Sequence, residues 1–324
     1  MSFWKNKRIL VTGGPGFIGS HLVERLLLEG AVVSVCGRSR ARLFDHLGET
    51  AAEVEFLEGD LASLEFAQQA CQGQELVFHL AAKVAGVGYN NAHPGSILFD
   101  NATIGLNILE AAVRTGVERI LLTSSACVYR RHCTVPTPET EGFLDDPEPT
   151  NLGYGWAKRF LEVQARCYAA EYPIKIALPR PYNAYGPRDD FEWETSHVIP
   201  ALIRKVVEGN NPIKVWGDGL QTRSFLYVTD FVEGLMLTLE RYPECQPINI
   251  GSEEEVTIAG LIRLIIQLAG SQAQIEFDLT KPGGQPRRIG DYHLARELLG
   301  FEAKVLLVEG LRQTIAWYQE HRLV

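Results

Sequence analysis

The N-terminal segment joins a strand, a glycine-rich turn and a helix, and this order restricts the fold more than any other stretch of the chain. Residues 7–11 form a short apolar run that predicts a buried strand. Residues 12–19 read Thr-Gly-Gly-Pro-Gly-Phe-Ile-Gly, and apolar side chains then recur with a helical period over residues 20–29. In that order, the glycine pattern predicts a dinucleotide-binding turn with phosphates at the helix N-terminus.

Each glycine of the turn has a predicted task. Gly13 permits a tight turn, Gly16 lets the backbone approach a pyrophosphate, and Gly19 lets helix and strand pack closely. The order of the elements disfavours the alternative of a glycine-rich turn without a ligand. The predicted cofactor-binding residues here are Gly13, Gly16, Phe17, Ile18 and Gly19.

Strands and helices continue to alternate beyond the turn. Alternation of this kind predicts an α/β fold with a Rossmann-like, doubly wound parallel sheet, and ligands lie at the carboxyl ends of its strands. The further predicted elements are strands at residues 31–36, 54–61, 76–82 and 119–123 and a helix over 101–113.

Proline and glycine become more frequent after the stretch Arg-Pro-Tyr-Asn-Ala-Tyr-Gly-Pro, and the regular alternation ends there. We therefore predict an NAD(P)-binding domain over residues 1–187, with segments returning to it at about 226–252. Residues 188–324 are predicted to form mostly a smaller C-terminal α/β lobe that binds the substrate.

The end of the second strand bears on the type of cofactor. An acidic residue there would bind the ribose hydroxyls of NAD, but this chain has Arg38 and Arg40. Arginine accommodates the 2′-phosphate of NADP, so NAD(P) is expected, with a preference for NADP from Arg38; the alternative is that both arginines are merely solvated.

His79 lies in an apolar run and is predicted to be a core histidine. The other predicted cofactor contacts are Asp60, at the adenine edge, Leu61, Ala81, Ala82 and Lys83.

Charge and cysteine content limit the possible partners. The net charge of −9 argues against nucleic acid or an anionic membrane as the main partner. The six cysteines show no metal-ligand spacing, which predicts free thiols in a reducing compartment and no metal site. The N-terminus carries no signal-peptide pattern, and no run is long enough for a membrane span. A cytoplasmic protein is expected.

Two further segments carry the equipment for alcohol oxidation. Ser125 follows the fifth predicted strand, and Tyr154 and Lys158 lie four residues apart on one face of a predicted helix. A lysine ammonium beside a tyrosine favours the phenolate, so Tyr154 is expected to exchange a proton near neutral pH. Ser125 can hold the same substrate oxygen while a hydride leaves or returns.

These motifs together resemble the extended short-chain dehydrogenase/reductase family, specifically its nucleotide-sugar epimerases and dehydratases. The likeness extends over nearly the whole chain, from TGGPGFIG at 12–19 through SSACVY at 124–129 and YGWAK at 154–158 to WGDGLQTRSF at 216–225. The resemblance implies that Ser125, Tyr154 and Lys158 form the catalytic triad. It also implies that Asn183 contacts the phosphates of a nucleotide sugar and that Arg223 binds its pyrophosphate or nucleoside.

Two residues narrow the implied chemistry. Cys127 is similar to the cysteine with which GDP-mannose 3,5-epimerases and GDP-L-fucose synthases exchange a proton beside a ketone, and His197 is similar to the partner acid of the synthases. The glycine-bearing loop over residues 83–91 is expected to line the sugar. The remaining substrate-binding residues implied by the resemblance are Lys83, Gly88, Val198, Lys205, Trp216 and Arg288. A homodimer through helices at about 101–114 and 154–171 is also implied.

The motifs WGDGLQTRSF at 216–225 and INIGSEEEV at 248–256 are more similar to those of the 3,5-epimerases, so the resemblance favours epimerisation of a GDP-hexose at C3 and C5 through a transient 4-ketone. Cys127 would remove a proton from one face and His197 would supply one on the other, and their ordinary pKa values of about 8.5 and 6.5 require only modest tuning. An epimerase/reductase that consumes NADPH remains open, and Arg38 favours it. Simple 4-epimerisation or dehydration is the third alternative, and dehydration is disfavoured because the chain has no acidic residue beside Cys127, where dehydratases of this family usually carry one. A non-catalytic dinucleotide sensor is disfavoured because Tyr154 and Lys158 are both present.

Overall fold

The computed structural model describes residues 2–84, 86–281 and 285–321. The strands are β1 (Arg8–Thr12), β2 (Val32–Gly37), β3 (Glu55–Glu58), β4 (Leu76–His79), β5 (Arg119–Leu122), β6 (Lys175–Pro181), β7 (Ala184–Tyr185), β8 (Ile213–Trp216), β9 (Thr222–Ser224), β10 (Leu226–Tyr227), β11 (Glu244–Ile250), β12 (Glu255–Thr257), β13 (Ile275–Asp278) and β14 (Arg287–Arg288). The α-helices are α1 (Phe17–Leu28), α2 (Arg40–Leu47), α3 (Leu64–Cys71), α4 (Val87–Ala92), α5 (Pro94–Thr115), α6 (Leu152–Glu171), α7 (Val198–Val207), α8 (Val228–Arg241), α9 (Ile258–Leu268) and α10 (Leu307–His321).

A seven-stranded parallel sheet forms the centre of the molecule. Its strand order is β11-β6-β5-β4-β1-β2-β3, and each neighbouring pair is parallel. The chain winds outward in one direction from β1 to β3 and in the other from β4 to β11. This is the doubly wound, Rossmann-like sheet that the sequence predicts, and its switch point lies between β1 and β4.

Helices cover both faces of the sheet. Along β1, Ile9 and Val11 enter one apolar cluster and Leu10 enters the other, since successive side chains of a strand point to opposite faces. The first cluster also contains α1 and α8 residues, and the second contains residues of α3, α5 and α6. Because both faces are buried, the strands read as continuous apolar runs.

The C-terminal lobe has its own apolar cluster, built from α7, α9 and α10 together with β8. Its short strands form two small sheets, β13-β8 and β12-β9-β14. Two segments after residue 187 return to the central sheet: α8 packs on it, and β11 pairs with β6 at its edge. Among the described helices, none combines the length and apolar character that a bilayer crossing requires.

The structure corrects the prediction of a loop over residues 83–91. Residues Val87–Ala92 form α4, which starts after the extended Gly86. The helix lies against the turn at Pro149–Asn151, and the Asn90 amide donates to Asn151 Oδ1 at 3.0 Å. Tertiary packing thus overrides the low helix propensity of its glycine and asparagines.

Two helices also differ from their prediction. The helix predicted from residue 101 begins at Pro94, a residue whose fixed φ suits the first helical turn. Helix α2 was not predicted, and its N-cap is Ser39, whose side chain accepts the Arg42 backbone N–H.

Candidate functional site

A single large cleft of about 1180 Å³ opens at the carboxyl ends of the parallel strands and reaches into the lobe. All of the site residues predicted from the sequence line it. The sheet side carries the predicted cofactor and triad residues, and the lobe side carries most of the predicted substrate residues.

The glycine turn has the shape that a pyrophosphate requires. Gly13 has a φ of +71°, and a Cβ there would lie 2.9 Å from the Ala81 backbone. A Cβ at Gly19 would lie 2.2 Å from the Gly13 carbonyl oxygen, so α1 packs on the turn only with glycine at this position. The first turn of α1 carries no acidic side chain, so its N-terminus can accept an anion. These residues fit a dinucleotide.

The arginines that follow β2 differ in whether they face the cleft. Arg38 lines the cleft, but Arg40 turns away: its guanidinium stacks on Phe56, 5.2 Å from the ring centroid. Of the two arginines at the end of the second predicted strand, only Arg38, the predicted cofactor residue, therefore faces the cleft. Arg42, on the first turn of α2, lines the cleft with Ser39 instead. Sequence reasoning missed Arg42 because α2 itself was not predicted.

The other predicted cofactor residues lie at the ends of β3 and β4. Leu61 is buried, and Asp60 accepts the Ala62 N–H at 2.9 Å, which shapes the exit from β3. Lys83 pairs with Asp100 at 2.8 Å, and this hydrogen bond raises the pKa of its ammonium. Ala81 and Ala82 leave room beside the strand ends because their side chains are small.

His79 is a core residue, as predicted. The Thr12 hydroxyl oxygen accepts the backbone N–H groups of Leu80 and Ala81, both at 3.2 Å. Its own proton is therefore available for His79 Nδ1, 2.9 Å away, which makes the imidazole neutral. Burial, followed by the nearby Lys158 charge, lowers the pKa of His79 to about 3.

Tyr154 and Lys158 lie one turn apart on α6, both buried against the cleft. The Lys158 ammonium donates to the Thr123 carbonyl at 2.7 Å and lies 5.4 Å from the centroid of the Tyr154 ring. Burial lowers the pKa of Lys158 to about 8. The predicted pair is therefore brought together, with the lysine held by the carbonyl at the end of β5.

The prediction about the Tyr154 proton needs a correction. Burial, followed by the influence of Cys127, raises the pKa of Tyr154 above its usual value, whereas the sequence argument expected a lowered pKa. The reason is that desolvation of the phenolate outweighs the charges around it in this structure.

Ser125 and Cys127 occupy a short 3₁₀ turn, Ala126–Val128, that follows β5. The Ser125 hydroxyl oxygen accepts the Cys127 backbone N–H at 3.1 Å, so its own proton remains to be donated. The Cys127 sulfur is half-buried in the cleft and accepts a hydrogen bond from Arg288 at 3.2 Å.

A buried hydrogen-bond network centred on Glu162 and Arg180 holds the residues that flank this turn. Glu162 accepts two hydrogen bonds from the Arg180 guanidinium, at 2.8 and 2.6 Å, and a third from Ser124 at 2.5 Å. Arg180 also donates to the Tyr129 hydroxyl at 3.1 Å, which in turn donates to Asn249 at 2.6 Å. The two charges are almost completely buried, so the network fixes the residues on both sides of Ser125 and Cys127.

His197 is the N-cap residue of α7, but its side chain makes no capping hydrogen bond. The imidazole lines the cleft. Desolvation within the cleft lowers the pKa of the His197 imidazole. The Asp190 charge opposes this shift, and the Arg288 charge adds to it. The preceding loop is tied to the sheet side by one backbone bond, from the Gly86 N–H to the Thr195 carbonyl at 2.7 Å. A Cβ at Gly86 would lie 2.6 Å from the Ser196 carbonyl oxygen.

The remaining predicted substrate residues form the outer part of the cleft. The Asn183 amide donates to the Ser224 carbonyl at 2.8 Å, which leaves its oxygen for another partner. Lys205 donates to the Lys214 carbonyl at 2.8 Å. Burial, followed by the Arg288 charge, lowers the pKa of Arg223 to about 10. The others lining this part are Gly88, Val198 and Trp216, whose ring lies 3.3 Å from the position of a Cβ at Gly88.

Sequence reasoning missed several polar residues of the cleft wall, among them Asn90, Glu148 and Asn151. Glu148 is buried and accepts hydrogen bonds from Arg131 at 3.0 Å and from the Thr150 backbone at 3.0 Å. Glu148 and Asn151 lie just before α6, the helix of Tyr154, and their short sequence separation from the predicted tyrosine is the signal that could have found them. Asn90 comes from α4 and reaches this wall through its hydrogen bond to Asn151, so no local pattern signals it.

The sequence model of the NAD dependent epimerase/dehydratase family matches residues 9–251, and the chain belongs to this family. It is 34% identical over 319 residues to GDP-L-fucose synthase 1 of Arabidopsis thaliana, covering 97% of this chain and 94% of that relative. It is 32% identical over 324 residues to GDP-mannose 3,5-epimerase 1 of Oryza sativa subsp. japonica, covering 98% of this chain and 84% of that relative.

Among solved structures, UDP-glucose 4-epimerase from Thermotoga maritima with UDP-glucose superposes with a TM-score of 0.88 at 31% identity. The match covers 97% of this chain and 99% of that chain. The fold and the relatives thus identify an NAD(P)-dependent enzyme of the nucleotide-sugar epimerase class, as the motifs predict.

Proposed function

We propose that this enzyme epimerises a GDP-hexose, of the GDP-mannose type, at C3 and C5 through a transient 4-ketone. One observation carries the proposal: Cys127 and His197, a thiol and an imidazole, line the same cleft as Tyr154 and Lys158. A 4-epimerase needs only the second pair, because it exchanges no carbon-bound proton. The first pair supplies two groups that can exchange protons beside a ketone.

The chemistry at C4 is assigned to the sheet side. Tyr154 accepts the C4 hydroxyl proton, and Ser125 donates its free proton to the same oxygen. Lys158 supplies positive charge that favours the phenolate from which this step starts, and proton transfer converts that phenolate to the neutral phenol. A bound nicotinamide supplies the hydride acceptor at C4, the later hydride donor, and additional positive charge in its oxidised form.

Proton exchange at C3 and C5 is assigned to Cys127 and His197. The 4-ketone acidifies both positions, Cys127 removes a proton as thiolate, and His197 returns one as imidazolium on the other face. Since the pKa of His197 is lowered, the donor form is a minority at neutral pH, and mildly acidic pH favours its step. Asn183, Arg223 and Lys205 are proposed to bind the phosphates, and Trp216 the nucleoside.

The test is incubation with GDP-mannose in deuterated water, without added cofactor, followed by proton NMR of the sugar. The expected result is loss of the C3 and C5 proton signals and the appearance of sugar isomers, with no net change in cofactor. Cys127→Ser should abolish the exchange, and Cys133→Ser, a nearby thiol outside the cleft lining, should retain it. Unchanged proton signals with the wild type would contradict the proposal.

A second candidate is the 3,5-epimerisation and NADPH-dependent reduction of a GDP-4-keto-6-deoxyhexose. Arg38 and Arg42 favour it, because two arginines beside the ribose site suit the 2′-phosphate of NADP, which a net reductase must exchange at every turnover. The relative named GDP-L-fucose synthase 1 also supports it. NADPH consumption on GDP-4-keto-6-deoxymannose, with no exchange on GDP-mannose, would select this candidate.

A homodimer in the cytoplasm is also proposed. Exposed apolar side chains on α5 and α6 include Leu98, Leu106, Trp156, Phe160 and Val163, a surface that a second copy would cover. The six cysteines are free thiols, which supports a reducing compartment. Sedimentation of Phe160→Glu tests the dimer: the variant should sediment as a monomer, and an unchanged species would contradict this interface.

A further inference from the structure

Arg288 lies where the lobe docks onto the central domain, and it reaches the site of proton exchange. Its strand, β14, pairs with β9 of the lobe in register with Arg223. The residues that follow are held by the central domain, since the Thr137 N–H donates to the Ile289 carbonyl at 3.0 Å. The backbone on both sides of the guanidinium is therefore fixed before any ligand binds.

The guanidinium makes a specific contact in the cleft. One of its terminal nitrogens donates to the Cys127 sulfur at 3.2 Å, across 161 residues of sequence. Its Nε is buried and has no hydrogen-bond partner within the described parts of the chain. The Glu148 carboxylate, whose charge acts on Arg288, is already bonded to Arg131 and Thr150. Cys127 is thus a direct hydrogen-bonding partner of this cation inside the cleft.

The contact distinguishes the two states of the sulfur. A thiol sulfur is a weak acceptor, whereas a thiolate accepts a charge-assisted hydrogen bond from a guanidinium. Cationic neighbours of this kind increase the thiolate fraction of cysteines. The backbone of Cys127 is held by Ser125, so the arginine acts on a sulfur whose position is already restricted.

We propose that Arg288 is a positioning residue that holds Cys127 as a thiolate aimed into the cleft, and so prepares it as the base of proton exchange. This inference rests on the proposed function and assigns Arg288 a task apart from phosphate binding, for which Arg223 is the adjacent cation. When Cys127 takes a carbon-bound proton it becomes a neutral thiol and the contact weakens, and loss of that proton to solvent restores the charge-assisted contact before the next exchange.

The test measures the thiolate without any nucleotide sugar. Cys127 of the intact protein is alkylated with iodoacetamide from pH 5.5 to 9.5, and the rate at each cysteine is read by peptide mass spectrometry. Exposed Cys167 serves as the internal reference. Cys127 should reach its half-maximal rate about one pH unit below Cys167, although it is less exposed. A midpoint at or above that of Cys167 would overturn the proposal without any variant.

Variants sharpen the result. Arg288→Met should raise the pH midpoint of Cys127 alkylation by about one unit, and Arg288→Lys, which keeps the charge, should raise it by less than half as much. Arg287→Met is the matched control, because Arg287 pairs with Glu255 on the surface, and should leave the midpoint unchanged. A folded Arg288→Met protein with the wild-type midpoint would contradict the proposal. Altered alkylation together with absent deuterium exchange would instead refute only the proposed function.

Discussion

The two walls of the cleft are held in different ways. On the sheet wall, Tyr154 and Lys158 lie on the buried face of a long helix, and the Glu162–Arg180 pair beneath them is almost completely buried. On the lobe wall, His197 stands at the N-cap position of α7 without a capping hydrogen bond, and Trp216 ends a strand of a two-stranded sheet with 43% of its surface exposed. Under the proposed function, the hydride step and the Cys127 side of proton exchange would belong to the heavily supported sheet wall, whereas the His197 side and part of the substrate contacts would belong to the more lightly supported lobe.

The largest effect should follow from removing the base of the sheet wall. Tyr154→Phe keeps the buried ring and removes the hydroxyl, so turnover should fall by about 10³-fold or more while the fold is retained. Tyr168→Phe on the same helix loses only its hydrogen bond to Glu110 and should keep near wild-type turnover. Comparable activity in the two variants, measured by NMR of the sugar product, would contradict the assignment.

The difference in support can be measured as stability. Arg180→Met leaves the Glu162 charge buried without its partner and should lower the free energy of unfolding by about 3–5 kcal/mol. Arg287→Met removes an exposed ion pair of the lobe with Glu255 and should leave the free energy of unfolding nearly unchanged, because solvent screens such a pair. Denaturant unfolding of both proteins tests this, and similar losses would remove the contrast between the two walls.

The lobe wall should show the reverse pattern, with activity lost and stability kept. His197→Gln should reduce deuterium exchange at C3 and C5 by about 100-fold, because the proton donor is gone, while oxidation at C4 continues. Since the imidazole makes no capping bond, the unfolding free energy should change by less than about 0.5 kcal/mol. His293→Gln, at an exposed ion pair of the same lobe, is the control and should leave exchange intact.

The smallest effect concerns pH. His79 in the folded protein has a pKa of about 3, below the value of about 6.5 expected when unfolded, so the unfolded state binds more protons between these values. Stability should therefore fall as the pH drops below 6.5, by about 2 kcal/mol from this residue at pH 5. His79→Gln should reduce the loss between pH 7 and pH 5 by that amount; an identical loss would show that other groups cause it.

The sequence predicted the sheet wall better than the lobe wall, for physical reasons. The turn at 12–19 and the pair Tyr154 and Lys158 are local patterns, so their geometry follows from one turn or one helix face. The contact of Arg288 with Cys127 depends on how the lobe docks, and no local pattern encodes it. The raised pKa of Tyr154 was missed for the same reason, since burial is a property of the whole fold.

The backbone bond between Gly86 and Thr195 has an evolutionary consequence. Because main-chain atoms form the link, exposed side chains of the loop that leads to His197, such as Glu192 and Glu194, can be exchanged without loss of the link. Gly86 is constrained, since a Cβ there would collide with the Ser196 carbonyl, and Asp190 is constrained because its carboxylate accepts the Glu192 N–H and the Thr195 hydroxyl. New substrates can therefore be explored by substitution in this loop while the catalytic register is inherited unchanged.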